Sequence, residues 1–275
     1  MLLQPLLLVL VVGAPPSSPA ATGPLRPASA VVYAAGAAAP RVSNEQQPET
    51  REPPTPPHTG IGALLRGLAG DVRHLPSWPN ASLAAAGGGL ALAVHPLDER
   101  VNIRLRGPNH AARAAFAPGK YVGYTPVQMG AAVAVFATGR LRHEDKVSHF
   151  GMDLLRAQIM TTALTTGLKY AVQRERPDGS NSHSFPSGHA SMTFATATVI
   201  ERHLGWRASA LGYTVASYVA ASRLHDNRHY LSDVVFGAAI GAIGGRTVTQ
   251  HGRQTWTLVP APVDGGVAVV AMRMR

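Results

Sequence analysis

Apolar stretches of helical length recur through most of this 275-residue chain and constrain its fold more than any other feature. Each stretch is rich in Ala, Gly, Val or Leu, and several of the breaks between them contain Pro, Gly or clustered charge, which interrupt helices. The pattern predicts an all-α fold, a helical bundle of about six or seven helices. The stretches are Ser82–Val94, Val127–Gly139, Asp153–Leu168, Ala190–Ile200, Ala208–Ala221 and Val234–Gly245.

The two ends of the chain differ from this middle part. Residues 1–20 combine an apolar start with a small-residue site, as a secretory signal peptide does. Residues 21–58 are rich in Ala and Pro and predict a disordered linker, because they hold too little apolar surface to repay chain entropy. The helical domain is assigned to residues 59–250. In residues 251–275, two β-rich runs flank Asp-Gly-Gly and predict a short C-terminal β-hairpin packed on the bundle.

The length of the apolar stretches bears on whether the helices cross a membrane. The apolar cores run for about 12 to 16 residues and contain mostly Ala and Gly, whereas a spanning helix needs ~20 predominantly apolar residues. Such cores favour a soluble bundle, although Ala- and Gly-rich helices also pack tightly in lipid. Together with the signal peptide, they predict a periplasmic or secreted protein and leave membrane association open.

Charge and composition narrow the choice of partners. The formal net charge of +10 at pH 7 favours an anionic substrate or membrane surface, although a basic surface that contacts only solvent has the same charge. No basic run with interleaved aromatic residues is present, so nucleic acid is not expected as a partner. The chain has no cysteine, which excludes disulfides and thiolate metal sites.

The first polar segment runs from Lys169 to Pro177, at the end of a predicted helix. Lys169 and Arg176 are seven residues apart, so both side chains can project from one helix face, and Pro177 would then end the helix. Two such cations can bind a phosphate, Arg through its planar fork and Lys as a point charge. An ordinary basic helix terminus, stabilised by the helix dipole, has the same pattern.

The second segment, Ser-Phe-Pro-Ser-Gly-His, begins at Ser184 and precedes an apolar helix. Pro186 fits the first helical position, and Ser184 or Ser187 can cap the helix. Backbone N–H groups at a helix start can bind a phosphate, and Gly188 would leave them uncovered. His189 would then lie beside the anion, where it could protonate a departing oxygen. A capped helix with an incidental histidine is the alternative.

The third segment runs from Ser222 to Asp233. His229 and Asp233 are four residues apart, which makes them neighbours on a helix surface. A carboxylate there can hold one ring nitrogen in its N–H form and leave the other as a nucleophile. Arg223 adds a third candidate cation. A surface His–Asp pair that contributes only a few tenths of a kcal/mol is the alternative.

Taken together, the segments have the form K-x6-R-P, P-S-G-H and S-R-x5-H-x3-D, in this order. The set resembles the type 2 phosphatidic acid phosphatase superfamily, which includes bacterial class A acid phosphatases, lipid phosphate phosphatases and vanadium haloperoxidases. The motifs span residues 169–233, and the predicted helices extend the likeness to about residues 71–245. The signal, the linker and the C-terminal hairpin lie outside it.

The resemblance implies a role for each motif residue. His229 would attack phosphorus, oriented by Asp233, while His189 would protonate the leaving oxygen, and water would then hydrolyse the phosphohistidine. The groups that would bind the phosphate are Lys169, Arg176, Arg223, Ser187 and the backbone N–H of Gly188. No metal or other cofactor is expected, because three cations can stabilise the charge in phosphoryl transfer and the sequence contains no evident carboxylate cluster to hold a metal.

The resemblance predicts a metal-independent phosphatase acting on phosphate esters, which could be soluble phosphomonoesters or lipid phosphates. A vanadium haloperoxidase-like protein and a non-catalytic phosphate-binding protein are the alternatives. Residues 60–126 are expected to build the access route that selects the substrate, although their pattern does not reveal how.

Several residues near the motifs are more simply explained by a structural role than by a role in binding substrate. Packing or solvent exposure is the simpler interpretation of four polar residues that could also touch substrate, namely His183, His225, Asp226 and Arg228. Gly237, Gly241 and Gly244 follow the third motif at near-helical spacing, which predicts a close-packing face.

Overall fold

The protein is described here by a computed structural model. Backbone is described for residues 8–11, 53, 55–56, 59–106, 110–250, 255–263 and 266–274, and side chains for residues 53, 55–56, 59–106 and 110–250. The predicted signal peptide and linker lie almost wholly outside these residues. Three strands lie before or after the helices in the sequence, namely β1 (Leu8–Val11), β2 (Thr255–Val263) and β3 (Gly266–Met274). Because residues 264–265 and the strand side chains are not described, a C-terminal hairpin packed on the bundle stays a prediction.

The all-helical prediction for the middle of the chain is confirmed. Every predicted helix is present, and each is longer than its apolar run because the polar residues at the ends of the run also adopt helical structure. Helices α1, α3 and α4 were not predicted, since they are shorter or more polar. The helices are α1 (Ile61–His74), α2 (Trp78–Val94), α3 (Asp98–Leu105), α4 (His110–Val122), α5 (Thr125–Leu141), α6 (Asp145–Val172), α7 (Gly188–Leu204), α8 (Trp206–His225) and α9 (Leu231–Thr249), with a 3-10 turn at His95–Leu97.

The observed helix lengths remove the length argument against membrane-spanning helices. Helices α2, α5 and α7 have 17 residues, and α8 and α9 have 20 and 19. At 1.5 Å per residue these are roughly 26–30 Å long, close to the ~30 Å of a bilayer hydrocarbon core. Among the described residues, α9 is the one helix that is both long and apolar enough to cross a membrane, and 61% of its apolar window is buried in the protein. A core helix of a soluble protein has the same properties.

Close packing of α9 against α6 and α7 positions the ends of the helices that carry the motifs. A Cβ added to Gly237 would stand 2.7 Å from the carbonyl oxygen of Ser187. A Cβ on Gly241 would collide with the α7 backbone, and one on Gly244 with the Thr161 side chain of α6. The predicted close-packing face is therefore confirmed, and it brings the start of α7 beside the start of α9.

A buried ionic network occupies the first turns of α6. Arg156 donates to Asp71 of α1 and to Asp153 one turn earlier. The second oxygen of Asp153 lies 3.3 Å from His149 Nε2 and 3.0 Å from His203 Nε2. These two histidines and Asp153 could together hold a metal ion, a cluster that the sequence pattern did not reveal. The cluster is roughly 24 Å along α6 from the first motif at 1.5 Å per residue, so it lies apart from the predicted phosphate site.

Candidate active site

The three motifs meet at one end of the bundle, where α6 ends and α7 and α9 begin. They surround a cavity of about 430 Å³, hereafter called the catalytic cavity after the residues that are predicted to act in it. Both predicted catalytic histidines line it, together with two of the three predicted phosphate-binding cations. Its lining residues are Lys120, Tyr121, Tyr124, Arg176, His189, Arg223, Arg228 and His229. Residues 120–124, at the junction of α4 and α5, thus form part of the wall, in the region expected to build the access route.

The ring of His229 has a single possible tautomer when it is neutral. Its Nδ1 lies 2.7 Å from the carbonyl oxygen of Ser184, and a carbonyl can only accept, so Nδ1 carries the proton and Nε2 has the lone pair. Burial lowers the pKa of His229 to about 4, which keeps the ring neutral at physiological pH. A neutral ring with a free lone pair on a cavity wall is suited to nucleophilic attack.

The predicted partnership between His229 and Asp233 takes a different form. His229 precedes α9, whose first residue is Leu231, so the two residues do not form a pair on a helix surface. Asp233 Oδ2 lies 3.7 Å from His229 Nδ1, which is longer than a hydrogen bond. The carbonyl of Ser184 therefore orients the ring directly, and Asp233 acts on it as a nearby buried charge.

Asp233 is fixed by several donors from different parts of the chain. Its Oδ2 accepts from the Ser184 hydroxyl at 2.5 Å and from the Tyr230 backbone N–H at 2.8 Å. Its Oδ1 accepts from Arg174 at 2.7 Å. Burial alone would raise the pKa of Asp233, but the neighbouring His229, the Ser184 hydroxyl and the Arg174 cation together lower it. The carboxylate therefore stays charged beneath the His229 ring.

Arg174 is a site residue that the sequence analysis missed. It lies among the unspecified positions of the first motif, and nothing in its spacing distinguishes it from its neighbours. Besides Asp233, its guanidinium donates to Asp98 of α3 at 2.8 Å and to the Ser232 hydroxyl at 2.7 Å. It also stacks 4.1 Å above the Tyr230 ring. Arg174 thus joins two buried carboxylates and ties α3 to the start of α9.

Lys169 and Arg176 do not share a helix face, contrary to the prediction. Helix α6 ends at Val172, and Gln173 follows in the left-handed conformation, so Arg176 lies in the loop. The Lys169 ammonium donates to the carbonyls of His183 and Pro186 at 2.7 and 2.6 Å. Burial, with Arg176 nearby, lowers the pKa of Lys169 to about 8. Lys169 therefore holds the loop of the second motif, and its direct contact with phosphate stays a prediction.

Two polar groups of the predicted phosphate site have no hydrogen-bond partner among the described residues. They are the hydroxyl of Ser187 and Nε of Arg176, and both atoms are buried. Arg223, also buried, donates from Nε to the Ser222 hydroxyl and from a terminal nitrogen to Asp226 at 2.7 Å. Since buried donors without partners are costly, Ser187 and Arg176 are suited to bind an anion in the catalytic cavity.

The start of α7 differs in detail from the prediction. The helix begins at Gly188 with Ser187 at the N-cap position, so Pro186 lies before the helix and not at its first position. Neither serine caps by its side chain, because the Ser184 hydroxyl is bound to Asp233 and that of Ser187 has no partner. A Cβ on Gly188 would make only ordinary contacts, so a phosphate contact by its N–H stays a prediction.

His189 lies in the first turn of α7 and faces the same cavity as His229. Its Nε2 is 3.1 Å from the Lys120 carbonyl. Burial, with Arg223 and His229 nearby, lowers the pKa of His189 to about 4. Gly123 packs on this ring, since a Cβ there would lie 2.8 Å from His189 Cδ2. The α4–α5 junction thus positions the residue predicted to protonate the leaving oxygen.

Comparison with known proteins agrees with this geometry. Residues 150–256 match the model of the PAP2 superfamily. A lipid A 1-phosphatase of Porphyromonas gingivalis is 44% identical over 96 residues, which are 34% of this chain and 21% of that protein. A Drosophila melanogaster protein assigned as a phosphatidate phosphatase is 38% identical over 80 residues, 25% of this chain and 21% of that protein. The matched segments therefore span about a fifth of each relative.

The fold also resembles a solved structure. A transmembrane PAP2-type phosphatidylglycerolphosphate phosphatase from Bacillus subtilis superposes with a TM-score of 0.53 over 62% of this chain and 93% of that chain. At 22% identity this likeness concerns the fold alone. The family match covers all three motifs, both histidines of the catalytic cavity and Asp233. Residues 150–256 of the chain, which contain the three motifs, are therefore similar to the PAP2 superfamily.

Proposed function

We propose that this protein is a lipid phosphate phosphatase that hydrolyses phosphate monoesters through a phosphohistidine on His229. The observation that carries the proposal is that His229 and His189 line one cavity together with Arg176 and Arg223. One histidine is fixed as a neutral nucleophile, and the cations can neutralise a phosphate between the two rings. Relatives named as phosphatases of lipid A and of phosphatidate support the reaction class.

The reaction proceeds in two displacements. In the first, the Nε2 lone pair of His229 forms the P–N bond as the P–O bond to the leaving group breaks, and His189 gives its proton to the departing oxygen. In the second, His189 takes a proton from water, whose oxygen attacks phosphorus and displaces Nε2. The charge that forms on the His229 ring during the first step is stabilised by Asp233 beneath it.

The phosphate oxygens are bound by the residues predicted for this role. Arg176 and Arg223 contact them from the cavity wall, and the Ser187 hydroxyl, which has no partner among the described residues, donates a hydrogen bond to them. Lys169 and the Gly188 N–H complete the set. Positioning and fixed positive charge supply most of the rate enhancement in phosphoryl transfer, so the reaction needs no metal or other cofactor.

A lipid substrate is favoured by the surface around the cavity. Tyr121 and Tyr124 line the catalytic cavity and are also largely exposed, and tyrosines in such positions are typical of membrane interfaces. Large apolar side chains are also exposed on the outer helices, among them Leu92 of α2, Leu141 of α5 and Leu211 of α8. In this proposal the protein associates with a membrane through exposed apolar side chains such as these.

Activity on two substrates tests the proposal. The purified full chain should release phosphate from p-nitrophenyl phosphate and, with a higher kcat/KM, from a micellar lipid phosphate. EDTA should leave both activities intact, because cationic side chains supply the charge, and vanadate should inhibit by occupying the phosphate position. Loss of activity on chelation, with recovery on adding a divalent ion while the fold stays intact by circular dichroism, would contradict the mechanism. Vanadate-dependent halide oxidation without phosphate release would favour a haloperoxidase.

In this proposal the protein acts outside the cytoplasm, because its N-terminal residues resemble a secretory signal peptide. The mature chain should begin near Ala21 and be recovered from the cell envelope or the medium. N-terminal sequencing of the fractionated protein measures this. An intact Met1 on protein from the cytosol would contradict export.

A further inference from the structure

A second cavity of about 390 Å³, hereafter the outer cavity, lies against the catalytic cavity. Lys120, Arg223 and Arg228 line both cavities, so the two are contiguous. The lining residues of the outer cavity are Arg106, Arg113, Lys120, Arg223, His225, Asp226, Asn227 and Arg228. It is thus built from the ends of α3 and α8 and from α4. It includes His225, Asp226 and Arg228, whose role the sequence left open.

The outer cavity carries an excess of positive charge. Its one carboxylate, Asp226, is paired with Arg223 at 2.7 Å, and Arg228 is paired with Asp178 at 2.9 Å. The other three cations, Arg106, Arg113 and Lys120, have no carboxylate at ion-pair distance within residues 59–106 and 110–250. Cations that line one cavity repel each other, and an anion bound among them relieves that repulsion.

His225 supplies independent support for a ligand in this cavity. Its side chain is only 7% exposed, and neither ring nitrogen has a hydrogen-bond partner among the described residues. The nearest carboxylate oxygen, on Asp226, is 3.7 Å away, beyond hydrogen-bond distance. The ring is held in place by packing on Phe116 at 4.9 Å between centroids. A buried ring with two unsatisfied nitrogens on a cavity wall is a group that a polar ligand would satisfy.

We propose that the outer cavity binds a second phosphate of the substrate, while the first phosphate is hydrolysed in the catalytic cavity. Arg106 and Arg113 bind the second phosphate, His225 hydrogen-bonds it, and Lys120 and Arg228 lie between the two anions. The inference rests on the proposed function and narrows its substrate class to molecules that carry two phosphate groups. Both a diphosphate and a bisphosphorylated headgroup have this chemistry, and a choice of probes separates them.

Three soluble probes with one alkyl chain test the subsite in the purified full chain. They are hexyl phosphate, hexyl diphosphate and hexanediol bisphosphate. We expect kcat/KM for at least one doubly phosphorylated probe to exceed that for hexyl phosphate by about 10-fold, as one charge-assisted contact allows. Arg113→Gln should remove this preference and leave hexyl phosphate hydrolysis unchanged. Arg104→Gln is the matched control, since Arg104 is an exposed arginine of α3 that does not line the outer cavity.

A second variant and a binding measurement keep the test independent of turnover and folding. His225→Asn should also lose the preference, because it cannot fill the same position beside Phe116. In the His229→Ala background, calorimetry should show tighter binding of the preferred probe than of hexyl phosphate, and Arg113→Gln should remove that difference.

The outcomes separate the subsite from the proposed function. Equal kcat/KM for all three probes, or equal loss of preference in Arg104→Gln and Arg113→Gln, overturns the second subsite and leaves the phosphatase intact. Absence of hydrolysis of every probe overturns the proposed function itself. A preference for hexyl diphosphate identifies adjacent phosphates as the substrate chemistry, and a preference for the bisphosphate identifies separated ones.

Discussion

The variant His229→Ala should form no phosphoenzyme with any substrate, because it lacks the nitrogen that forms the P–N bond. Activity should fall to the level of the uncatalysed control, whatever the leaving group. Acid-quench trapping with radiolabelled substrate measures the intermediate directly. His74→Ala is a matched control, since His74 is an exposed histidine at the end of α1 that does not line the catalytic cavity. Trapped label in His229→Ala would contradict the assignment.

His189→Ala should have an effect that depends on the leaving group. General acid catalysis contributes typically ~10²–10⁴-fold, and this help matters most for alkyl phosphates, whose leaving oxygen needs a proton. The variant should lose less on p-nitrophenyl phosphate, and it could accumulate phosphohistidine because no base activates water. Equal losses on both substrate types would contradict the role of His189.

The pH dependence of kcat/KM follows from the same two rings. Burial lowers the pKa of both His229 and His189 to about 4. His229 must be neutral, so activity falls as pH drops below its pKa. His189 must be protonated, so activity also falls as pH rises above its pKa, and the optimum lies on the acid side of neutrality. The alkaline limb should be absent in His189→Ala with p-nitrophenyl phosphate.

Removal of Arg174 should produce the second large effect. Arg174→Gln leaves the buried carboxylates of Asp233 and Asp98 without their shared cation, and breaking a buried ion pair costs about 3–5 kcal/mol. Part of this cost is reduced by solvent, since the Arg174 side chain is 22% exposed. We therefore expect a lower Tm. Because Asp233 also loses a contact that positions it beneath His229, we expect kcat to fall by about 10²-fold, with KM changed much less. Arg174→Lys should recover part of the activity, because it keeps the charge but loses the fork.

A pH profile distinguishes positioning from general destabilisation. Arg174 lowers the pKa of Asp233, so in Arg174→Gln that pKa rises and Asp233 is protonated at a higher pH. The acid limb of kcat/KM should then move to higher pH, which a loss of folded protein alone would not produce. Arg142→Gln, at an exposed arginine at the end of α5, serves as the control. An unchanged acid limb in Arg174→Gln would show that the residue acts only on stability.

The helical class and the composition of the site could be predicted from the sequence because both depend on local information. Apolar runs bounded by Pro and Gly define helices wherever they pack, and the glycines of α9 fit their close-packing role. The three motifs taken together, through the family that they resemble, also identified the site residues, of which His189, His229, Arg176 and Arg223 line the catalytic cavity. Side-chain type and order along the chain carry this information without knowledge of the tertiary contacts.

Only the tertiary structure decided which atom each site residue contacts. The left-handed Gln173 ends α6 and moves Arg176 off the helix face, and the Ser184 carbonyl, 45 positions earlier in the chain, fixes the His229 tautomer. Arg174 and Asp98 are joined across 76 positions, and the catalytic and outer cavities combine residues of α3, α4, α7 and α8. The spacing of residues along the chain cannot predict such contacts. They depend on how the ends of the helices meet in space and on which hydrogen-bond donors are buried away from water.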